Sequence, residues 1–263
     1  MTFEWNPVEY ERSSSAQARW AGEFIATIPF TGAEHVLDVG CGDGKVTAML
    51  VEKVPQGGVL GVDSSAPMVA LAAERFAALA PHLTFQVADA SRLPFDAEFN
   101  VVFSNSTLHW IRDHGPVLRG IRNALKPGGR AYLRFGGKGS TTEVKAVLHD
   151  LIGRPEWMDY FEGFESPHGF YGPDEYIPWL ETAGLKPERV ELSPRVMRHG
   201  VDGLRGWVRT TKMPYTERVP EALRERFIDA VIAEFVKRYP ADESGQYGVS
   251  MPRLDVVASR LGA

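Results

Sequence analysis

Apolar positions fall into two rhythms along the chain. Short runs rich in β-branched residues, "HVLDV" (35–39), "GVLGVD" (58–63), "LTFQVAD" (83–89), "FNVVFSN" (99–105) and "GRAYLRF" (129–135), have the length and composition of buried strands. Between them lie segments whose apolar residues recur at helical spacing: "KVTAMLVEKV", the alanine-rich "APMVALAAERFAALA", and a stretch near 115–125 that "KPGG" ends. Strand alternating with helix across short loops predicts parallel strands joined by right-handed crossovers. After Phe135 the alternation stops. Residues 136–172 read as a glycine-rich loop, one helix and an irregular aromatic stretch. Residues 173–184 form a helix with proline at its start and glycine at its end. "LKPERVELSPRV" and the late "PRLDVVASRL" supply two further strands, and 200–239 holds two helices, the clearer with Leu223, Phe227, Val231 and Phe235 four apart. The pattern predicts one α/β domain over 1–263: a doubly wound, mostly parallel seven-stranded sheet with an inserted helical cap. The core spans about 28–136, 173–199 and 248–261, and the cap elements 1–27, 137–172 and 200–247.

Composition narrows the partners. Hydrophobic residues make up 44 % and charged residues 24 % of 263 residues, and no apolar run approaches the roughly 20 residues of a membrane span. The first twenty residues carry acids and no apolar segment, unlike a secretory signal. The only cysteine, Cys41, excludes an intrachain disulfide and a cysteine-rich zinc site, so a reducing, cytoplasmic setting is expected. A net charge of −5 argues against a nucleic-acid groove, which needs clustered positive charge. A small-molecule partner is the expectation, without nucleic acid, membrane or metal.

The candidate chemistry starts at "VLDVGCGDGKVT" (36–47), an acid-terminated strand followed by Gly40, Gly42 and Gly44. A dinucleotide fingerprint counted from Gly40 needs glycine at position 45, where the chain has Lys45. Alternate glycines instead leave Gly40 and Gly42 open to an adenosyl and methionyl group, although a tight strand-to-helix turn would use the same residues. Two more acids weigh against a bare turn. Asp63 ends the second strand, where a carboxylate can accept from both ribose hydroxyls, and Asp89 ends the third, where it can accept from an adenine amino group while the Ala90 amide donates to the ring.

These residues resemble a known group. "VLDVGCGDG", "GVDSSAPM" and "VADA" are similar to the first three motifs of class I S-adenosylmethionine-dependent methyltransferases, and "LKPGGRAYLRF" to the turn before their fifth strand. "WNPVEY", "SNSTLHWIRDH", "GFYGPDEYIPWLETAGL" and "MPRLDVVASR" resemble the trans-aconitate methyltransferases and their relatives. Two stretches depart from that pattern: "RSSSAQARW", and Asp255 in a late strand that is usually apolar there. The resemblance implies a Rossmann-like fold, S-adenosylmethionine (SAM) as cofactor, S-adenosylhomocysteine (SAH) as product, and cofactor roles for Asp38, Gly40, Gly42, Asp63, Ser64, Met68, Asp89, Ala90 and Ser104. It also brings Gln17 to the methionine carboxylate.

For the acceptor, a carboxylate oxygen is ionised at neutral pH and needs no base, whereas an amine or phenol would use one. His109 after the fourth strand is the candidate base. Tyr10 and Trp110 are expected to border the acceptor, and the cations Arg198, Arg205, Arg209 and Lys212 could pair with its charge, Arg209 being the one expected to bind it. The aromatics Trp157, Tyr160, Phe170 and Tyr171 could line the pocket or pack the cap. Methyl transfer to a small carboxylate is the leading reading. Methylation of nitrogen, phenolic oxygen or carbon, and cofactor binding without catalysis, are the alternatives.

Overall fold

The computed structural model describes residues 20–262; Tyr10 and Gln17 lie outside them. The described chain opens in helix over 20–25 (α1) and enters β1 (His35–Val39), α2 (Lys45–Val51), β2 (Gly58–Asp63), α3 (Ala66–Arg75), β3 (Leu83–Val87), β4 (Phe99–Asn105), α4 (His114–Ala124) and β5 (Leu125–Gly136). These five strands are parallel, in spatial order β3-β2-β1-β4-β5. The order reverses direction at the β1/β4 boundary, and in open α/β sheets the crevice beyond that boundary is where ligands bind.

Alternation along each strand divides the core into two layers. On one face Leu37, Val39, Val102 and Leu133 meet Leu118 and Ile121 of α4. On the other, Val36, Val101 and Phe103 meet Phe24 and Ile25 of α1 and Leu50 of α2. Asp38 shares the second face with Val36, so strand geometry aims it at α2.

The chain then leaves the sheet through α5 (Thr142–Ile152) and returns through α6 (Pro173–Thr182) and β6 (Leu185–Ser193). Pro173 starts α6, and the Glu175 carboxylate accepts from the Gly172 N–H at 3.0 Å, closing an otherwise open helix end. A second excursion holds β7 (Val196–His199), α7 (Val201–Thr211), α8 (Met213–Thr216), α9 (Glu221–Arg238) and β8 (Tyr247–Ser250), before β9 (Arg253–Arg260) ends the described chain. β9 inserts antiparallel between β5 and β6, completing a seven-stranded sheet. The register places Asp255 opposite Arg134, and the two form a bidentate pair, with 3.1 Å between Arg134 Nη2 and Asp255 Oδ2. The acid in this late strand thus neutralises a cation on the next strand.

β7 and β8 pair with each other in a separate two-stranded ribbon. The segments 196–199 and 248–250, expected with the core, therefore stand apart from the central sheet. Three helices rather than two lie between β7 and β8, because Pro214 starts a new short turn after α7. The cap has its own apolar centre, where Val147 and Leu151 of α5 and Leu204 and Val208 of α7 close around Phe227, Val231 and Phe235 of α9. No described helix is long and apolar enough to cross a membrane.

Candidate active site

A cavity of about 1270 Å³ runs from the carboxyl ends of β1, β2 and β3 to the inner wall of the cap. Its floor is the glycine loop. The amides of Gly40 and Cys41 both donate to the Val62 carbonyl, at 2.8 and 3.0 Å, folding the loop over the end of β2. Gly40 has φ +80°, and a Cβ there would lie 2.1 to 2.5 Å from three atoms of the Thr107 side chain. What comes close to Gly40 is therefore the segment after β4, not a ligand alone. Gly44, also at φ +80°, is pressed by Phe85 and Ala72, and so lets α2 start against α3 and β3. Gly42 is the open one: an added Cβ would meet only Met68, at 3.7 Å.

Asp63 ties this floor together. Its Oδ2 accepts from the Gly42 N–H at 3.0 Å and its Oδ1 from the Ser65 N–H at 2.9 Å. A carboxylate has about four acceptor sites, so both oxygens keep a lone pair for a ligand diol. Burial pushes this carboxyl upward, against the backbone donors that favour its ionised form. Asp89 accepts from the Ser91 N–H at 2.8 Å, which holds its side chain at the rim. Of the residues named for the cofactor, Gly40, Gly42, Asp63, Ser64, Met68, Asp89 and Ala90 line the cavity.

Two of the expected cofactor residues do not reach it. Asp38 is 2 % exposed beneath the loop, where its Oδ2 accepts from the Thr47 hydroxyl at 2.7 Å, and burial pushes its pKa up to about 7. Ser104 is equally buried, donating to the Val39 carbonyl at 2.7 Å and locking β4 to β1. Both hold the floor in place from behind, because their strand positions face helix or backbone and not the crevice.

The far wall is built by the turn after β4, the loop before α6, and α7. His109 Nδ1 accepts from the Gly136 N–H at 3.4 Å, which leaves Nε2–H as its donor. Its ring stacks on Phe170 at 5.7 Å, and Phe170 stacks on His168 at 5.5 Å, with Trp110 beside His168 at 4.7 Å. Burial, reinforced by the charge of Lys212, lowers His109 to about 3 and His168 to about 2. Both imidazoles are neutral at physiological pH. His168, in a loop without periodicity, is a residue that sequence reasoning missed.

On α7 the cavity face carries Gly203, Gly206, Trp207 and Thr210. Arg205 and Arg209 fall on the opposite side of the turn, where Arg209 meets Glu225 of α9 at 2.7 Å and Arg205 meets Asp229. The expectation that Arg209 binds the acceptor is corrected on this ground: it is absent from the cavity wall, and its guanidinium is engaged between helices. Arg198 is likewise turned to Asp242 at 3.1 Å. Lys212, the remaining member of that set, does turn inward and is 3 % exposed. Trp110 and Phe170 line the cavity, whereas Trp157 is sealed in the cap centre against Phe227 and Tyr171 packs on His114 and Trp179. Two non-glycine residues with left-handed backbone, Ser106 at φ 60° and Thr141 at φ 57°, also line the cavity; such strain gathers where a site over-determines the backbone.

A doubly wound sheet whose switch point carries this loop and these carboxylates defines the class, and comparison with known proteins agrees. Residues 36–129 match a family model described as a methyltransferase domain. A trans-aconitate 2-methyltransferase from Deinococcus radiodurans is 30 % identical over 90 % of this chain and 92 % of its own. Among solved structures, one from Bacillus halodurans superposes with a TM-score of 0.63 at 15 % identity, covering 92 % of this chain and 98 % of its own. A geranyl diphosphate methyltransferase in complex with SAM gives 0.55 at 19 % identity, over 95 % and 87 %. The chain is a class I SAM-dependent methyltransferase. It belongs to the same family as the trans-aconitate 2-methyltransferases.

Proposed function

We propose that this enzyme methylates a carboxylate oxygen of a small-molecule acceptor held between the glycine loop and the cap. The observation that carries this reading is the far wall, where the described residues place an inward-turned lysine, Lys212, with no acid paired to it, beside imidazoles too weakly basic to hold a proton. A base whose conjugate acid titrates near 3 cannot hold a proton taken from an amine or phenol at pH 7. A carboxylate needs none, and it is drawn to a wall of positive sign. The name of the Deinococcus relative supports the same substrate class.

The residues present suit SAM. Asp63 offers acceptors for the ribose hydroxyls, Asp89 and Ala90 a polar edge for adenine, Met68 a soft apolar surface for its face, and Gly42 the room beside them. Bound there, SAM supplies a methyl group on a sulfonium that leaves as a neutral thioether. The rest of the work is alignment and exclusion of water. The cavity exceeds the roughly 300–1,000 Å³ of a single-ligand pocket, so donor and acceptor both fit. His109 Nε2–H is a donor available to orient an acceptor oxygen, and the single buried cysteine is consistent with the cytoplasm as the enzyme's setting.

The test is a screen of small carboxylic acids, trans-aconitate first, for methyl ester formation with labelled SAM, followed by a pH profile. With donor and acceptor saturating, kcat is expected to stay level from pH 6 upward. A kcat that rises tenfold per unit to a plateau would reveal a required base and overturn the carboxylate assignment.

A further inference from the structure

Lys212 stands at the carboxyl end of α7, its own amide donating to the Val208 carbonyl at 2.9 Å, and its side chain folds under the helix instead of out to solvent. A lysine this deep is seldom found without an ion partner, because an isolated buried ammonium gives up its hydration with nothing in return. Here Nζ donates to Thr141 Oγ1 at 3.2 Å and sits 5.1 Å from the centre of the Trp207 ring. The one charge acting on it among the described residues has the same sign, that of Lys145, whose Nζ lies 4.1 Å over Phe170. Two of the three ammonium donors therefore have no acceptor among the described residues. Of the other cations lining the cavity, Arg134 is matched by Asp255, Arg112 by Glu165, and Arg218 by the carbonyls of Tyr160 and Glu162, while Arg195 and Arg253 repel each other and Arg253 stacks over Trp20 with its Nη1 unpartnered among the described residues. Of the acids lining the cavity, Asp63 and Asp89 lie at the opposite, cofactor end, Glu165 is taken by Arg112, and Glu217 caps the far end of α8.

We propose that Lys212 binds a non-reacting anionic group of the acceptor and so selects molecules that carry a second negative charge. It rests on the reading of the cap as the acceptor site. Pairing with an ammonium makes a carboxylate a weaker nucleophile, so the group held by Lys212 is the poorer one to methylate. The acceptor thus spans two positions, one anion against Lys212 and Thr141, the other facing the donor near His109. The C-terminal end of α7 favours the protonated lysine, and an incoming carboxylate supplies the missing partner. Without it, burial and Lys145 hold the amine at about 7, low enough that the empty site is not forced to keep a full charge.

The experiment uses the full chain saturated with SAH and trans-aconitate as the probe, titrated calorimetrically into wild type, Lys212→Met and Lys212→Gln. Loss of a buried charge pair is expected to weaken probe binding about 30-fold or more in Lys212→Met, with SAH affinity unchanged. Lys212→Gln, which can still donate to Thr141, serves if the methionine variant folds poorly, and is expected to weaken binding as well. In wild type, probe binding is expected to weaken as pH rises above 7, and this dependence should vanish in both variants, with His109 and His168 neutral throughout. Ester formation is followed in the same samples. Binding that needs Lys212 without ester keeps the anion site and ends the carboxylate-methylation reading. Ester formation with unaltered probe binding in both variants removes Lys212 while that reading stands. No probe binding by wild type at millimolar concentration overturns the proposal.

Discussion

Asp63 ties the floor together and, in the proposed reading, also holds the cofactor sugar. It accepts from Gly42 and Ser65, and so orders the loop before any ligand arrives. Asp63→Ala leaves two amides without their acceptor and removes the partner of the ribose diol. Each charged hydrogen bond contributes about 1.5–3 kcal/mol, so the SAM dissociation constant should rise on the order of 100-fold or more by calorimetry. An affinity within a factor of three of wild type would mean that the sugar is held elsewhere. Gly40 teaches a different lesson at the same scale. Its glycine is demanded by Thr107 and by backbone hand, whereas at Gly42 the missing side chain leaves open space beside Met68.

Among the elements, α9 decides whether the cap exists. Its stripe Phe227, Val231 and Phe235 is the centre around which α5 and α7 close, and that centre is distinct from the two layers on the sheet. Truncating a buried phenylalanine costs about 3–5 kcal/mol, so Phe227→Ala should loosen the cap while the sheet and loop stay folded. The expected outcome is SAM affinity within a few-fold of wild type together with loss of most turnover. Hydrogen exchange should speed up in α5, α7 and α9 and stay slow in β1 and β4. Equal loss of protection in the sheet would show that cap and core fold as one unit. α7 has its own division of labour: small and aromatic residues line the cavity, while Arg205 and Arg209 clamp α9 through Asp229 and Glu225.

For the whole molecule, buried titratable groups set the response to acid. His109, His114 and His168 are held at about 3, 4 and 2, mainly by burial. A histidine lowered in the folded state contributes stability that is present above its usual 6.5 and is lost as pH falls toward the folded value. Asp38, raised to about 7, works in reverse: its contribution is full below its usual 3.8 and is lost as pH rises through 7. Near pH 5 the unfolded chain therefore carries about three histidine protons that the folded chain lacks, while the folded chain holds one on Asp38 that the unfolded chain lacks. The net of roughly two protons makes stability fall by about 2.7 kcal/mol per unit of acidification. Urea unfolding at pH 6, 5.5 and 5 checks the slope, and a flat profile would show these histidines to be hydrated and charged in the folded chain.

The seven strands and most of their helices could be read from the chain because they depend on local periodicity. β-branched runs with alternate faces can be buried only in a sheet, and Pro173 and Gly184 mark the limits of α6 on their own. The motif residues at the strand ends were legible for the same reason, since a parallel sheet brings every carboxyl end to one edge. What the sequence left open depends on contacts between distant segments. Whether an arginine on α7 meets the acceptor or a glutamate on α9 is set by which face the cap turns inward, and spacing alone made Arg205 and Arg209 as eligible as Lys212. Asp38 and Ser104 carry the right identity for the motif, yet strand alternation and the covering of α2 put them behind the floor. The chain by itself determined a donor-binding edge, because that edge is made of short-range signals repeated in register. Only the tertiary structure decided the far wall of the cavity, where His168, Thr141 and Lys212, far apart in sequence, become neighbours through the closing of a second core.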